Sequence, residues 1–64
     1  MPKYVVVAIS SDGTANHIEF QVRDSAIDYG VIYAMRNPMS SCMVYKVDGK
    51  NRKLVWSKLE GFVG

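Results

Sequence analysis

The fold of this chain is decided by the stretch SAIDYGVIYAMR, Ser25–Arg36, in which the spacing of apolar residues matches the 3.6-residue period of an α-helix. At about 100° per residue, the side chains of this helix form two largely apolar stripes on nearly opposite sides. The first stripe contains Ala26, Ile27, Gly30, Val31, Ala34 and Met35. The second stripe contains Tyr29, Ile32, Tyr33 and Arg36. A helix on one core needs only the first stripe, so the second predicts contact with a partner.

Both ends of this helix carry sequence signals. Ser25 is followed three residues later by Asp28, which resembles a capping box at a helix start. Asn37 precedes Pro38, and a residue before proline is disfavoured in the helical region. We therefore expect the helix to begin at Ser25 and to end near Arg36 or Asn37.

Extended segments precede the helix. Lys3–Ser10 is rich in β-forming residues and largely apolar on both faces, which is typical of a strand with neighbours on both sides. A turn at residues 11–14 contains Asp-Gly, a common hairpin signal. Residues 17–23 then alternate between polar and apolar, with Ile18, Phe20 and Val22 on one face. These segments predict a first β-hairpin.

A second hairpin is predicted after the helix. Met43–Val47 and Leu54–Trp56 are its strands, and residues 48–52 form a loop longer than a minimal hairpin turn. Leu59–Gly64 is expected to form a short packed tail.

The predicted order is β-β-α-β-β in a single small domain over residues 1–64. This order indicates the α+β class, with an antiparallel sheet and one helix packed on one face. Gly30 lies within the first stripe, which favours a close approach of the helix backbone to the sheet. The sheet face away from the helix carries either Tyr4, Val6 and Ala8 or Val5, Val7 and Ile9. One of these apolar sets must face outward, and the strand order stays open.

Composition points to association in a reducing compartment. A chain of 64 residues has a thin core, and the single Cys42 excludes an intramolecular disulfide. Self-association into a homo-oligomer is the remaining route to added stability. The lone cysteine and the absence of a convincing cleavage site near the start predict a cytoplasmic location. No apolar run is long enough to span a membrane, so no membrane partner is expected.

Few residues have catalytic chemistry. His17 is the only histidine, and bringing it to Cys42 would require a fortunate strand order. His17 and Glu19 share a strand face but lack a third metal ligand. The glycines show no phosphate-binding spacing. We therefore expect a protein that is not an enzyme and has no cofactor or metal site.

Binding is the better supported class of function. Tyr29, Ile32, Tyr33 and Arg36 occupy helical i, i+3, i+4 and i+7 positions, and Tyr and Arg are enriched among interface anchors. The chain is similar in type to the short accessory proteins of bacteriophages and mobile elements, although no matched motif carries the likeness. We predict a self-associating binding protein that occupies a host protein or sequesters a small ligand. A nucleotide is one such ligand.

The alternative is a small nucleic-acid-binding module. The chain has a formal net charge of +2, and its basic residues concentrate in the last third. Aromatic residues on an open sheet can stack bases while basic side chains contact phosphate. The residues predicted to contact phosphate are Lys46, Lys50, Arg52, Lys53 and Lys58.

Overall fold

The computed structural model describes residues 2–63, which form one five-stranded antiparallel sheet with a single helix on one face. The elements are β1 (Lys3–Ile9), β2 (Ala15–Phe20), α1 (Arg23–Arg36), β3 (Ser41–Asp48), β4 (Asn51–Ser57) and β5 (Gly61–Phe62). The predicted α+β class and the order β-β-α-β-β are confirmed. The predicted tail contains the additional short strand β5, and its last residue, Gly64, lies outside the described residues.

The sheet order is β2-β1-β3-β4-β5. The two hairpins are therefore joined through β1 and β3, which pair antiparallel. Val6 is paired with Ile18 of β2 on one side and with Val44 of β3 on the other. The prediction that β1 has neighbours on both sides is confirmed, and the open question of strand order is settled.

The helix covers the face of the sheet that carries Tyr4, Val6 and Ala8. Val6 and Ala8 are buried, and Tyr4 packs against the core cluster. The core cluster itself consists of Val6, Ala26, Ile27, Cys42, Val44, Val55 and Trp56. Successive side chains of a strand point to opposite faces, so Val5, Val7 and Ile9 form the outward apolar set.

Gly30 is the point of closest approach between α1 and the sheet. A Cβ atom added at Gly30 would lie 3.2 Å from Cζ3 of Trp56 and 3.2 Å from Cγ2 of Val44. It would also lie 3.4 Å from Sγ of Cys42. The first two distances are tighter than ordinary van der Waals contact, which confirms the predicted close approach of the helix backbone.

The start of the helix differs from the prediction. α1 begins at Arg23, with Val22 as the N-cap, and the Ala26 N–H donates to the Val22 carbonyl at 3.2 Å. Ser25 therefore lies inside the first turn, and no side chain among the described residues caps the helix. The Phe20 ring meets the Tyr29 ring at a centroid distance of 5.6 Å. This packing connects the end of β2 to the helix, and Ser25 forms no capping box.

The end of the helix is confirmed at Arg36, with Asn37 as the C-cap. The predicted first stripe is only partly right, because Met35 is 76% exposed. On a helix, Met35 lies about 140° from Gly30, whereas Tyr33 lies only about 60° away. Tyr33 accordingly packs against the core cluster, although the sequence placed it on the second stripe.

The β3–β4 connection is shorter than predicted. Asp48 pairs with Asn51, so the turn consists of Gly49 and Lys50. Gly49 has a φ of +62°, a conformation that glycine adopts without strain. A register shift at Val44/Tyr45 lets both Val55 and Trp56 be buried.

We expect Gly30→Ala to lower the free energy of unfolding by about 1 kcal/mol. Overpacking costs roughly 1–3 kcal/mol, which exceeds the gain of about 1 kcal/mol in helix propensity. Urea unfolding measures the change, and Ser25→Ala on the exposed side is the control. A stabilised Gly30→Ala variant would show that the helix can shift away from Trp56.

Val22→Asp should stabilise the fold. Val22 is 56% exposed and has the extended backbone of an N-cap, with φ −115° and ψ 129°. An aspartate at this position can accept an orphan helix N–H, which contributes about 0.5–2 kcal/mol. Gln21→Asp adds the same charge without the cap position and should have a smaller effect in urea unfolding. Equal effects of the two variants would contradict a capping mechanism.

Candidate functional site

The face of the sheet away from the helix is a candidate binding surface, which we call the open face. It comprises Val5, Val7, Ile9, Met43, Tyr45, Val47 and Leu54. Val5 pairs with Tyr45, and Val7 pairs with Met43, so these side chains form contiguous rows across β1 and β3. All members are half-buried by one another. The predicted outward apolar set is therefore confirmed and extends over three strands.

Polar groups border the open face on two sides. On the β2 side, the Lys3 ammonium group lies 3.2 Å from the Glu19 carboxylate. On the β4 side, the Arg52 guanidinium group lies 4.7 Å from the centroid of the Tyr45 ring. An apolar centre with a polar border is typical of binding surfaces on proteins.

One end of the open face deepens into a groove of about 620 Å³. Its apolar walls include Ile9, Met43, Leu54 and Leu59, and the Leu59 side chain is 94% exposed. The polar lining residues are Ser40, Ser41, Ser57, Lys58 and Glu60. The volume lies within the range of about 300–1,000 Å³ that is usual for small-molecule sites.

Lys58 has a structural role beside this groove. Its ammonium group donates to the carbonyl oxygens of Pro38 at 2.7 Å and of Ser40 at 2.6 Å. A longer contact of 3.4 Å reaches the Asn37 carbonyl. These bonds connect the chain after β4 to the segment after the helix, so the ammonium donors of Lys58 are already engaged within the protein.

The other predicted phosphate-contacting residues lie around the β3–β4 hairpin. Lys46 pairs with Lys53, and both lie on the helix side of the sheet because Lys46 has the same parity as Val44. Arg52 pairs with Val47 on the open face, and Lys50 is in the turn. The structure thus brings four basic residues to one hairpin, divides them between two faces, and separates them from Lys58.

The second helical stripe forms part of an aromatic cluster, which we call the aromatic flank and define as Phe20, Tyr29 and Tyr33. The Tyr29 and Tyr33 rings are nearly parallel, with centroids 6.5 Å apart, and Tyr29 is 39% exposed. Ile32 lies beside this cluster and is 50% exposed. Sequence reasoning missed Phe20 as a member, although its alternation with Ile18 placed it on the apolar face of β2.

Arg36 lies in the last turn of the helix, three residues after Tyr33. It borders a smaller groove of about 240 Å³ that is also lined by Ser10, Ser11 and residues 37–40.

The residues with catalytic chemistry are not assembled. His17 pairs with Val7 on the open face, whereas Cys42 pairs with Ala8 and points toward the helix. Burial raises the pKa of the Cys42 thiol. Asp12 belongs to the first turn, where hydrogen bonds from the Ser10 hydroxyl and the Thr14 N–H lower the pKa of its carboxyl to about 2.

Metal ligands are also dispersed over residues 2–63, where no group of three or more His, Cys, Asp or Glu side chains is close enough to hold an ion. No helix in that part of the chain is long and apolar enough to cross a membrane. Comparisons with protein-family models, curated proteins and solved structures find no match to the chain.

We expect Cys42 to resist thiol alkylation in the native protein. Its side chain is 1% exposed, and its raised pKa reduces the thiolate fraction at neutral pH. Mass spectrometry after brief iodoacetamide treatment should find no modification in buffer and one in urea. Ser41→Cys, at the neighbouring exposed position, should add one rapidly modified thiol. Rapid modification of native Cys42 would contradict its placement under the helix.

Proposed function

We propose that this protein is a non-enzymatic, self-associating binding protein that occupies a host protein or sequesters a small ligand. The open face is the binding surface in this proposal, and its groove receives the most deeply bound group. The protein would act in the cytoplasm, in the manner of the short accessory proteins of phages and mobile elements. The small size of the chain supports the comparison with accessory proteins, and its lone cysteine supports a cytoplasmic location.

The observation that carries the proposal is the uncovered apolar area of the open face. A sheet that is apolar on both faces is normally covered on both. Here the single described helix contacts β1, β2 and β3 from one side only, while Val5, Val7 and Tyr45 remain half-buried on the other. Covering these side chains would contribute about 25 cal/mol for each Å² removed from water.

The groove supports a ligand with an apolar body. Ile9, Met43 and Leu54 provide its hydrophobic wall, and the Ser41 hydroxyl and Glu60 carboxylate provide polar groups at its border. A nucleotide-type ligand is less well supported. The tyrosines of the aromatic flank stack on each other, and the free basic side chains belong to the hairpin at the other end of β3.

Nucleic-acid binding is the second candidate, and the hairpin favours it. Lys46, Lys50, Arg52 and Lys53 are exposed within one short segment, and such clusters attract phosphate at low salt. A single-stranded probe should then bind more weakly as salt rises, and Lys46→Glu with Lys53→Glu should abolish the binding. Absence of binding at low salt would remove this candidate.

Native mass spectrometry of protein purified gently from expressing cells tests the main proposal. We expect a discrete oligomer that carries additional mass, either a small molecule or a cellular protein. Val7→Lys places a charge at the centre of the open face and should remove the additional mass. Ser11→Lys adds the same charge in an exposed turn and should retain it.

Two results would contradict the main proposal. The first is an oligomer or monomer without additional mass that also gains none when incubated with extract from the expressing cells. The second is equal retention of the additional mass by Val7→Lys and by the unsubstituted protein. Circular dichroism establishes that each variant is folded before the comparison is made.

A further inference from the structure

The two edges of the sheet are protected to different degrees. At one edge, β5 pairs with Trp56 and Ser57, the Val63 N–H donates to the Val55 carbonyl at 3.0 Å, and Arg52 and Lys53 occupy the uncovered part of β4. At the other edge, β2 contains no proline, lysine or arginine. Short paired strands and positive charges discourage the pairing of edges between molecules. β2 lacks these features, so its edge can accept another strand.

The backbone groups that β2 presents at this edge follow from its pairing with β1. The Ser10 N–H donates to the Thr14 carbonyl at 2.9 Å, which fixes the phase of the ladder. Hydrogen-bonded and non-hydrogen-bonded pairs alternate along an antiparallel ladder. Asn16, Ile18 and Phe20 therefore bond to β1. The N–H and C=O groups of Ala15, His17 and Glu19 point away from β1 at the outer edge.

This hydrogen-bonding pattern allows few registers for pairing β2 with a second copy of itself. The outward N–H and C=O groups of one β2 strand must lie opposite the outward N–H and C=O groups of the other. One register places His17 opposite His17, and another places the carboxylate of Glu19 opposite an identical carboxylate. Like charges directly opposite are destabilising, which disfavours the Glu19 register. The His17 register places each Glu19 opposite Ala15, which offers no polar partner. The register between them places His17 opposite Glu19 twice and Ile18 opposite Ile18. This register joins each carboxylate to an imidazole and an apolar side chain to its equivalent.

We propose that β2 pairs antiparallel with β2 of a second copy, with His17 opposite the second copy's Glu19 and with the two Ile18 residues facing each other. This inference rests on the self-association in the proposed function and names its interface. The two sheets then form one continuous sheet, joined by about four additional backbone hydrogen bonds between the outward groups of His17 and Glu19.

The same pairing places the aromatic flank of each copy beside β2 of the other. A two-fold axis perpendicular to the sheet keeps both helices on the same side. The aromatic flank of each copy lies beside β2, because Phe20 belongs to β2 and contacts Tyr29 at 5.6 Å. In this register Phe20 lies opposite the second copy's Asn16, so the two flanks lie at opposite ends of the seam, with the Ile18 pair between them and about 14 Å along the strands from one Phe20 to the other. The open faces remain uncovered on the opposite side.

Cysteine cross-linking tests the register. The Ile18 residues form a non-hydrogen-bonded pair, whose Cα atoms lie about 4.5 Å apart, within the range for a disulfide. Ile18→Cys should therefore form a disulfide-linked dimer under mild oxidation. Asn16→Cys is the control on the same face, because its equivalent would lie about 14 Å away along the strands. The unsubstituted protein reports on Cys42, which is buried.

Proline substitution tests the edge independently. The N–H of His17 points outward, so His17→Pro leaves the ladder to β1 intact while it blocks the pairing of two copies. We expect His17→Pro to be a folded monomer by light scattering and circular dichroism. His17→Ala retains the N–H and should stay largely dimeric, with a weaker dimer because the contact to Glu19 is lost.

Several outcomes would overturn this inference. A monomeric unsubstituted protein, equal cross-linking of Ile18→Cys and Asn16→Cys, or an unchanged oligomer for folded His17→Pro would each do so. If His17→Pro does not fold, the cross-linking result alone decides whether the β2 interface is correct. Different outcomes would contradict the proposed function. An oligomer that retains a ligand and persists in folded His17→Pro would overturn the β2 interface alone, whereas a β2 dimer that binds nothing would overturn the ligand or host-protein proposal alone.

Discussion

The contact on which the rest of the structure depends is that between the backbone of the helix at Gly30 and the side chains of Trp56 and Val44. A side chain larger than hydrogen at this position would hold the helix away from the sheet. With glycine there, the helix lies low enough for Ala26 and Ile27 to be buried against β1 and β3. A short chain can close its core with these small and medium-sized residues only because the two layers approach so closely.

The same close approach determines which surfaces are left over. A low helix is centred on the middle strands, so Tyr29 and Ile32 project past the covered area on its exposed sides. Phe20, at the end of β2, extends the core sideways toward the edge of the sheet through its contact with Tyr29. A second helix would be needed to cover the other face of the sheet, and a chain of 64 residues does not contain one within its described part. The surplus apolar surface is thus a consequence of length and layer geometry.

Local signals in the sequence were sufficient for much of this fold. Gly30 within an apolar stripe indicated the close approach, Asn37 before Pro38 indicated the helix end, and the change of apolar period indicated the α+β class. The helix start was missed because Ser25 and Asp28 form a plausible local cap, whereas the helix begins two residues earlier, with Val22 as an N-cap that makes no side-chain hydrogen bond. Met35 was wrongly assigned to the buried stripe, because apolar character alone does not show where the centre of that stripe lies. The contact between Gly30 and the sheet defines this centre.

The candidate surfaces were harder to predict, because they depend on strand order. Whether Lys58 belongs with Lys53 cannot be read from their spacing. The answer depends on the hydrogen bonds that Lys58 makes to the carbonyls of Pro38 and Ser40. Likewise, a sequence shows that one set of β1 side chains must face outward. It does not show that Met43 and Tyr45 will extend that set into a continuous surface.

The proposed β2 interface and the open face point in different directions. The proposed pairing through β2 would extend the sheet within its own plane, whereas the proposed binding at the open face would occur perpendicular to that plane. Self-association and target binding would therefore not compete for the same surface. The two copies of a β2 pair would present their open faces on the same side, so two weak contacts to one target could act together. For a protein whose individual binding surface is small, such a bivalent arrangement raises the effective affinity without any further contact in either copy.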